Sequence, residues 1–188
     1  PSRITLLKII IALGFIAGLL MSHKLWVSSR VYPLVPIFSA IPNIIFPFDY
    51  ILFSTLLVLL IVIIYSSKPQ RYILMFTALI VTLGILDQSR WQPWAYQYLF
   101  MLAAFSFTSW KNSDAIATTK TLKVAILIIA SIYFWSGLQK FNATFIFQTF
   151  PWLTEPSLRF LPEYIHMFLS SFGIFVPFVE TGIGIGLF

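Results

Sequence analysis

The residues able to do chemistry in this chain are few, and they concentrate in two stretches. In "YFWSGLQKFNATF", Tyr133 to Phe145, a long apolar run closes on Lys140. On helical spacing the face of that lysine carries Tyr133, Ser136 and Gly137, which suit contact with another helix better than contact with lipid. The ammonium is therefore expected to point inward, where poor hydration lowers its pKa toward a value useful for a general base. The plainer reading is a lysine at a helix end that snorkels to a membrane surface. The second stretch, "LDQSRWQPWAYQYLF", Leu86 to Phe100, sets Asp87 and Arg90 three residues apart, close enough to pair, with Trp91, Trp94, Tyr96 and Tyr98 around them. It reads either as the rim of a ligand pocket or as an aromatic interface belt with one salt bridge in a turn.

Three further groups have weaker claims. Glu180 lies inside the last apolar run, and a carboxylate there needs a partner such as Lys140, a backbone donor, or a proton of its own. The plain alternative is the edge of a helix, since Pro177 is three residues away. Glu163 and His166 have the i, i+3 spacing of a metal-binding helix pair, with His23 a conceivable third ligand. Two histidines and scattered carboxylates make a thin set, and no metal site is assigned. Paired histidines for haem fit less well still, because His23 and His166 sit at segment ends.

The elements that must position these residues are membrane helices. Hydrophobic residues make up 59% of the chain and charged ones only 10%, far from the composition of a soluble domain. The mean hydropathy is +0.91. The expected fold class is all-α, a polytopic transmembrane helical bundle, forming one domain over residues 1–188 of a longer chain. About six membrane segments follow from apolar length: Ile4 to Met21, Tyr50 to Tyr65, Tyr72 to Leu86, Trp94 to Thr108, Leu122 to Leu138, and Phe168 to Phe188. Continuous apolar runs rather than alternation argue against β-barrel strands. The first segment is long, carries Lys8 and lacks a small-x-small cleavage site, so it predicts a retained helix and not a cleaved leader.

Two connections are rich in proline and apolar residues. His23 to Asp49 holds Pro33, Pro36, Pro42 and Pro47, and Gln139 to Met167 holds Pro151, Pro156 and Pro162. Both predict non-helical or re-entrant segments at a membrane interface. With the N-terminus cytoplasmic, Arg3, Lys8, Lys68, Arg71, Lys111, Lys120 and Lys123 fall inside, against Lys24, Arg30, Arg90, Lys140 and Arg159 outside. The proline-rich loop, the Asp87 turn and the Lys140 segment would then share the outer face. The net charge of +6 is spread over loops, which fits membrane topology and sets nucleic acid aside. Cysteine is absent, which removes disulfides, iron–sulfur ligation and thiol relays.

"LDQSRWQPWAYQYLF" followed one helix later by "IYFWSGLQKFNATF" resembles the transmembrane domain of vitamin K-dependent gamma-glutamyl carboxylase and its bacterial relatives, the horizontally transferred transmembrane (HTTM) domain family. "VETGIGIGLF" is similar to a later helix of that family, and the likeness runs from about Leu86 to Phe188. The resemblance implies that Gly137 and Lys140 match the family's glycine and its second lysine, the base acting on reduced vitamin K. Gln139 stands where the carboxylase has its first lysine, and Asn142 where it has an acidic residue.

The expected site is an outward-facing aromatic pocket for a quinone or a lipid, in a bacterial inner membrane. Lys140 would be the base, with Asp87 and Arg90 orienting it or the substrate. Trp91, Trp94, Tyr98, Tyr133 and Gly137 would bind the cofactor, a quinone or hydroquinone. The alternative is a non-catalytic subunit that fills space and holds lipid in a larger membrane complex, with other membrane subunits as partners. A channel or transporter lacks support, because no segment carries a charged stripe and no repeat pair is evident.

Overall fold

Runs of Leu, Ile, Val and Phe this long have no turn chemistry to interrupt them, and helix is the only regular structure among the described residues. The computed structural model describes residues 3–30, 32–38, 40, 44–107 and 115–188, without the side chains of residues 115 and 117. Pro42, Thr108 and Lys111, used above for the loop, a segment end and the charge balance, lie outside the described residues. The helices are α1 (Arg3–Met21), α2 (His23–Trp26), α3 (Phe48–Tyr65), α4 (Gln70–Leu86), α5 (Pro93–Ser106), α6 (Ala115–Gln139), α7 (Phe150–Leu158), α8 (Glu163–Ser170) and α9 (Phe175–Gly186). Tight 3-10 turns occupy Gln88–Arg90 and Ser171–Ile174, and a π turn occupies Phe145–Thr149.

Helices coincide with all six segments expected from apolar length, yet only four stretches are long and apolar enough to cross a membrane. These are Arg3–Met21, Phe48–Tyr65, Thr118–Gln139 and Glu163–Gly186, the last running through α8, the 3-10 turn and α9. α4 has 17 residues and α5 has 14, which at about 1.5 Å per residue fall short of roughly 30 Å of hydrocarbon.

The connections differ from expectation in an instructive way. His23 to Asp49 is largely irregular where described, apart from α2 at its start. Gln139 to Met167, expected to be non-helical, is mostly helical. Pro151 sits in the first turn of α7, where its missing N–H leaves no bond unmade, and Pro162 immediately precedes α8. Pro156 is tolerated because α7 ends two residues later, at Leu158.

The chain divides into two compact units, Pro1–Ala125 and Ile126–Phe188. In the first, α1 packs on α3 and α5, and α4 packs on the same two, giving a four-helix ring. The Lys8 ammonium, near the start of α1, donates to the Ser66 carbonyl at the end of α3, at 3.0 Å, so these two helices run antiparallel. Phe15, Leu56, Leu60, Ile63, Phe76, Leu83, Leu102 and Phe105 fill the centre, with Phe15 edge-on to Phe76 at 5.0 Å. Outward positions are apolar as well, including Leu6, Ile10 and Leu13 on α1 and Ile51, Val58 and Ile61 on α3. A bundle greasy on both faces suits a hydrocarbon surround.

Gly14 and Gly18 on α1 meet Tyr98 and Trp94 on α5, both pairs at i, i+4. A Cβ at Gly18 would lie 2.6 Å from the Trp94 ring, and one at Gly14 would lie 2.8 Å from the Tyr98 hydroxyl. The glycines form a groove, and the aromatic rings lie in it.

In the second unit, the C-terminal part of α6 crosses α9 at backbone distance. A Cβ on Gly137 would lie 2.5 Å from the Thr181 nitrogen, and one on Gly184 would lie 2.5 Å from the Phe134 nitrogen. α7 and α8 pack together below the π turn, and Phe141 meets Phe178 edge-on at 4.8 Å.

Candidate functional site

Two polar clusters stand out against this apolar background, one in each unit. In the first unit the turn between α4 and α5 is built on Asp87. Its backbone N–H closes α4 on Leu83, and its Oδ1 accepts from the Ser89 N–H and hydroxyl, so one residue ends a helix and caps the 3-10 turn that follows. Oδ2 faces Arg30 Nη2 at 2.6 Å and Arg90 Nε at 3.6 Å, with all three side chains 3% exposed or less. The expected Asp87–Arg90 pair is present, but the nearer partner is Arg30, from the proline-rich loop.

Both guanidiniums also bond to backbone carbonyls. Arg30 donates to the carbonyls of Leu25, Tyr32 and Pro33, and Arg90 to those of Leu25 and Leu83. Burial lowers the pKa of Arg90 below its ordinary value, while the Asp87 charge works in the opposite direction. Asp49, 2% exposed, accepts from the Ser28 and Ser29 N–H groups. The loop backbone also docks on the turn, with Val35 N–H donating to Asp87 Oδ1, Gln88 N–H to Val35, and Ile37 N–H to Ile85. Two carboxylates and two guanidiniums thus hold the irregular segment to the bundle end.

The aromatic residues of this stretch pack against helices. Trp94 lies on Gly18 and edge-on to Phe15 and Trp26, Tyr98 lies on Gly14, and Trp91, 38% exposed, lies on Gly84.

In the second unit Lys140 follows the last turn of α6, and its Nζ meets Glu180 of α9 at 2.5 Å from Oε1 and 2.6 Å from Oε2. The Ser136 hydroxyl, one turn back, donates to Glu180 Oε2 at 2.9 Å. The lysine side chain is 26% exposed and the glutamate 22%, so the pair is partly shielded but reachable. The Phe145 ring lies 5.5 Å from the ammonium, and Phe141, next to Lys140, meets Phe178, two residues before Glu180. Gly137 lets α9 approach closely enough for the pair to form, its free side being taken by Thr181 and Pro177. Tyr133, on the same helix, is 40% exposed. Asn142 caps the next segment by accepting from the Phe145 N–H at 2.7 Å.

Asp87, Arg90, Trp91, Trp94 and Tyr98 therefore belong to the first unit, and Lys140, Tyr133 and Gly137 to the second. Sequence reasoning overlooked Arg30 and Asp49, treating one as a topological charge and the other as a loop end. The available signal was an ionisable residue within a stretch rich in Pro, Ile, Val and Phe. No group of three or more His, Asp or Glu residues with metal-binding geometry occurs among the described residues, Glu163 and His166 included. Comparison with protein families, with curated proteins and with solved structures finds no match for this chain.

Proposed function

We propose that the chain is an integral membrane protein of the HTTM and carboxylase-like type, and that Lys140, Glu180 and Ser136 receive the hydroxyl or carbonyl group of a quinone or lipid. The observation that carries this reading is the pair between Lys140, one residue past the membrane-length stretch Thr118–Gln139, and Glu180, inside the stretch Glu163–Gly186. Ionisable groups at such positions are costly, and they mark ligand or proton pathways. Phe141, Phe145 and Phe178 supply the apolar walls that a ring-bearing amphiphile requires.

Lys140, oriented by Glu180, is the base toward a quinol hydroxyl in this reading, and the Ser136 hydroxyl beside the pair offers a donor to a ligand oxygen. The site offers an acid and a base without net charge, as hydrocarbon requires. The test is oxidation of an added quinol by the full chain in lipid vesicles, with dioxygen supplied as the electron acceptor. A general base contributes about 10²- to 10⁴-fold, so Lys140→Ala should lose at least about 100-fold, and Glu180→Gln should also slow turnover. Unchanged activity in Lys140→Ala removes that residue from the mechanism.

In this reading the N-terminus is cytoplasmic and the membrane is a bacterial inner membrane, and the distribution of exposed cations supports the orientation. Exposed Arg3, Lys68 and Arg71 gather at the end of the first unit where α1 begins and α3 stops, while Arg30 and Arg90 are buried beside Asp87 and no longer count as loop charge.

A second reading, a lipid-holding structural subunit of a larger membrane complex, is favoured by the seating of Trp91, Trp94 and Tyr98 on glycines and by the internal use of Asp87. Quinol turnover independent of both Lys140 and Glu180, or no turnover at all, would favour it.

A further inference from the structure

The end of α1 carries a feature that the proposed quinone site does not use. An open groove of about 480 Å³ is lined by Met21, His23, Lys24, Tyr32, Gln92 and Trp94, among others. Its aromatic walls are fixed in advance. Trp94 is wedged on Gly18, and the Tyr32 ring lies 4.0 Å beneath the Arg30 guanidinium, which is itself anchored on Asp87. The Gln92 amide is held by the Ser89 carbonyl at 2.7 Å.

Lys24 is exposed and forms no ion pair among the described residues. No carboxylate lines the groove, and Asp49 and Asp87 are buried in the neighbouring cluster. An exposed stripe of Ile10, Leu13, Ala17 and Leu20 climbs α1 at spacings of three and four residues toward the groove, where exposed Met21 and then Lys24 of α2 follow. A hydrocarbon-facing stripe that terminates in an ammonium between a Tyr and a Trp has the order of a lipid molecule, with chains below and an anionic group above.

We infer that this groove is a binding site for an anionic phospholipid of the adjoining leaflet, with the phosphate-bearing headgroup at Lys24 and the acyl chains along Ile10, Leu13 and Leu20. The inference rests on the membrane reading above but is independent of the chemistry assigned to Lys140. Because the walls are anchored before binding, little ordering is required of the protein, and the ammonium supplies selectivity for negative charge.

Native mass spectrometry of the full chain, titrated with phosphatidylglycerol and with phosphatidylcholine of the same acyl chains, tests it. One lysine near an anionic surface is worth about 1 kcal/mol, so the wild-type protein should prefer phosphatidylglycerol by about fivefold. Lys24→Gln should bring the ratio near one, Lys24→Arg should keep it, and Lys68→Gln, at the other end of α3, should leave it unchanged. Equal affinity for the two lipids in the wild type, or equal loss in Lys24→Gln and Lys68→Gln, overturns the site. Alkaline carbonate extraction of the same membranes separates the two levels. A chain that stays in the membrane but shows no preference refutes only the groove, whereas a chain released into the wash refutes the membrane reading beneath it.

Discussion

Asp87 does three jobs: its backbone N–H closes α4, and its carboxylate both caps the 3-10 turn and neutralises Arg30 beside Arg90. Removing one partner from a buried ionic cluster leaves the opposite charge stranded, which typically costs about 3–5 kcal/mol. Asp87→Asn keeps the side-chain shape and leaves two guanidiniums facing the single carboxylate Asp49, so it is expected to destabilise the chain by about that amount, seen as a lowered midpoint in thermal or denaturant unfolding in detergent. A midpoint within error of wild type would show that water reaches the cluster. At this scale the sequence was partly legible. Lys140 and Glu180 could be matched because an ionisable group in an apolar run must find a partner, and few were available. Arg30 was not legible as the nearer partner of Asp87, because it lies 57 residues away in an irregular loop where no periodicity reports which way a side chain points.

Helix contacts in this chain rest on glycines that admit bulky neighbours. Gly14 and Gly18 take Tyr98 and Trp94 in the first unit, and Gly137 and Gly184 let α6 and α9 touch in the second. Gly18→Val would drive a branched side chain into the Trp94 ring. Overpacking of this kind typically costs about 1–3 kcal/mol, so unfolding should begin at a lower denaturant concentration. Gly182, which has open space at its Cβ position, should accept Ala with a much smaller change, and the contrast between the two variants is the check. The matched i, i+4 spacing of Gly14 with Gly18 and of Trp94 with Tyr98 is written in the sequence. It could have assigned the aromatics to packing, had the two helices been known to be neighbours. Helix positions themselves were legible because apolar length alone fixes them. α7 and α8 were misread because proline was taken as a breaker everywhere, although it is harmless in a first turn.

For the molecule as a whole, the apolar exterior and four membrane-length helices follow from composition, whereas orientation depends on which cations still face water once the fold is made. With Arg30 and Arg90 buried, Lys24 is left exposed at one end of the first unit, while Arg3, Lys68 and Arg71 are exposed at the other, where Lys8 is buried. The absence of cysteine makes this testable without a background to remove. In intact cells a membrane-impermeant maleimide should label Lys24→Cys from outside and reach Lys68→Cys only after permeabilisation. The reverse pattern would invert the topology, and labelling of both from one side would dissolve the antiparallel arrangement of α1 and α3 across a bilayer. Lys8 adds a constraint in time. The carbonyl that receives its ammonium belongs to Ser66, 58 positions downstream, so this bond cannot close while the ribosome is still making the loop between them. The contact that ties the start of α1 to the end of α3 therefore forms only once both helices have been made, which places their docking after the synthesis of α3.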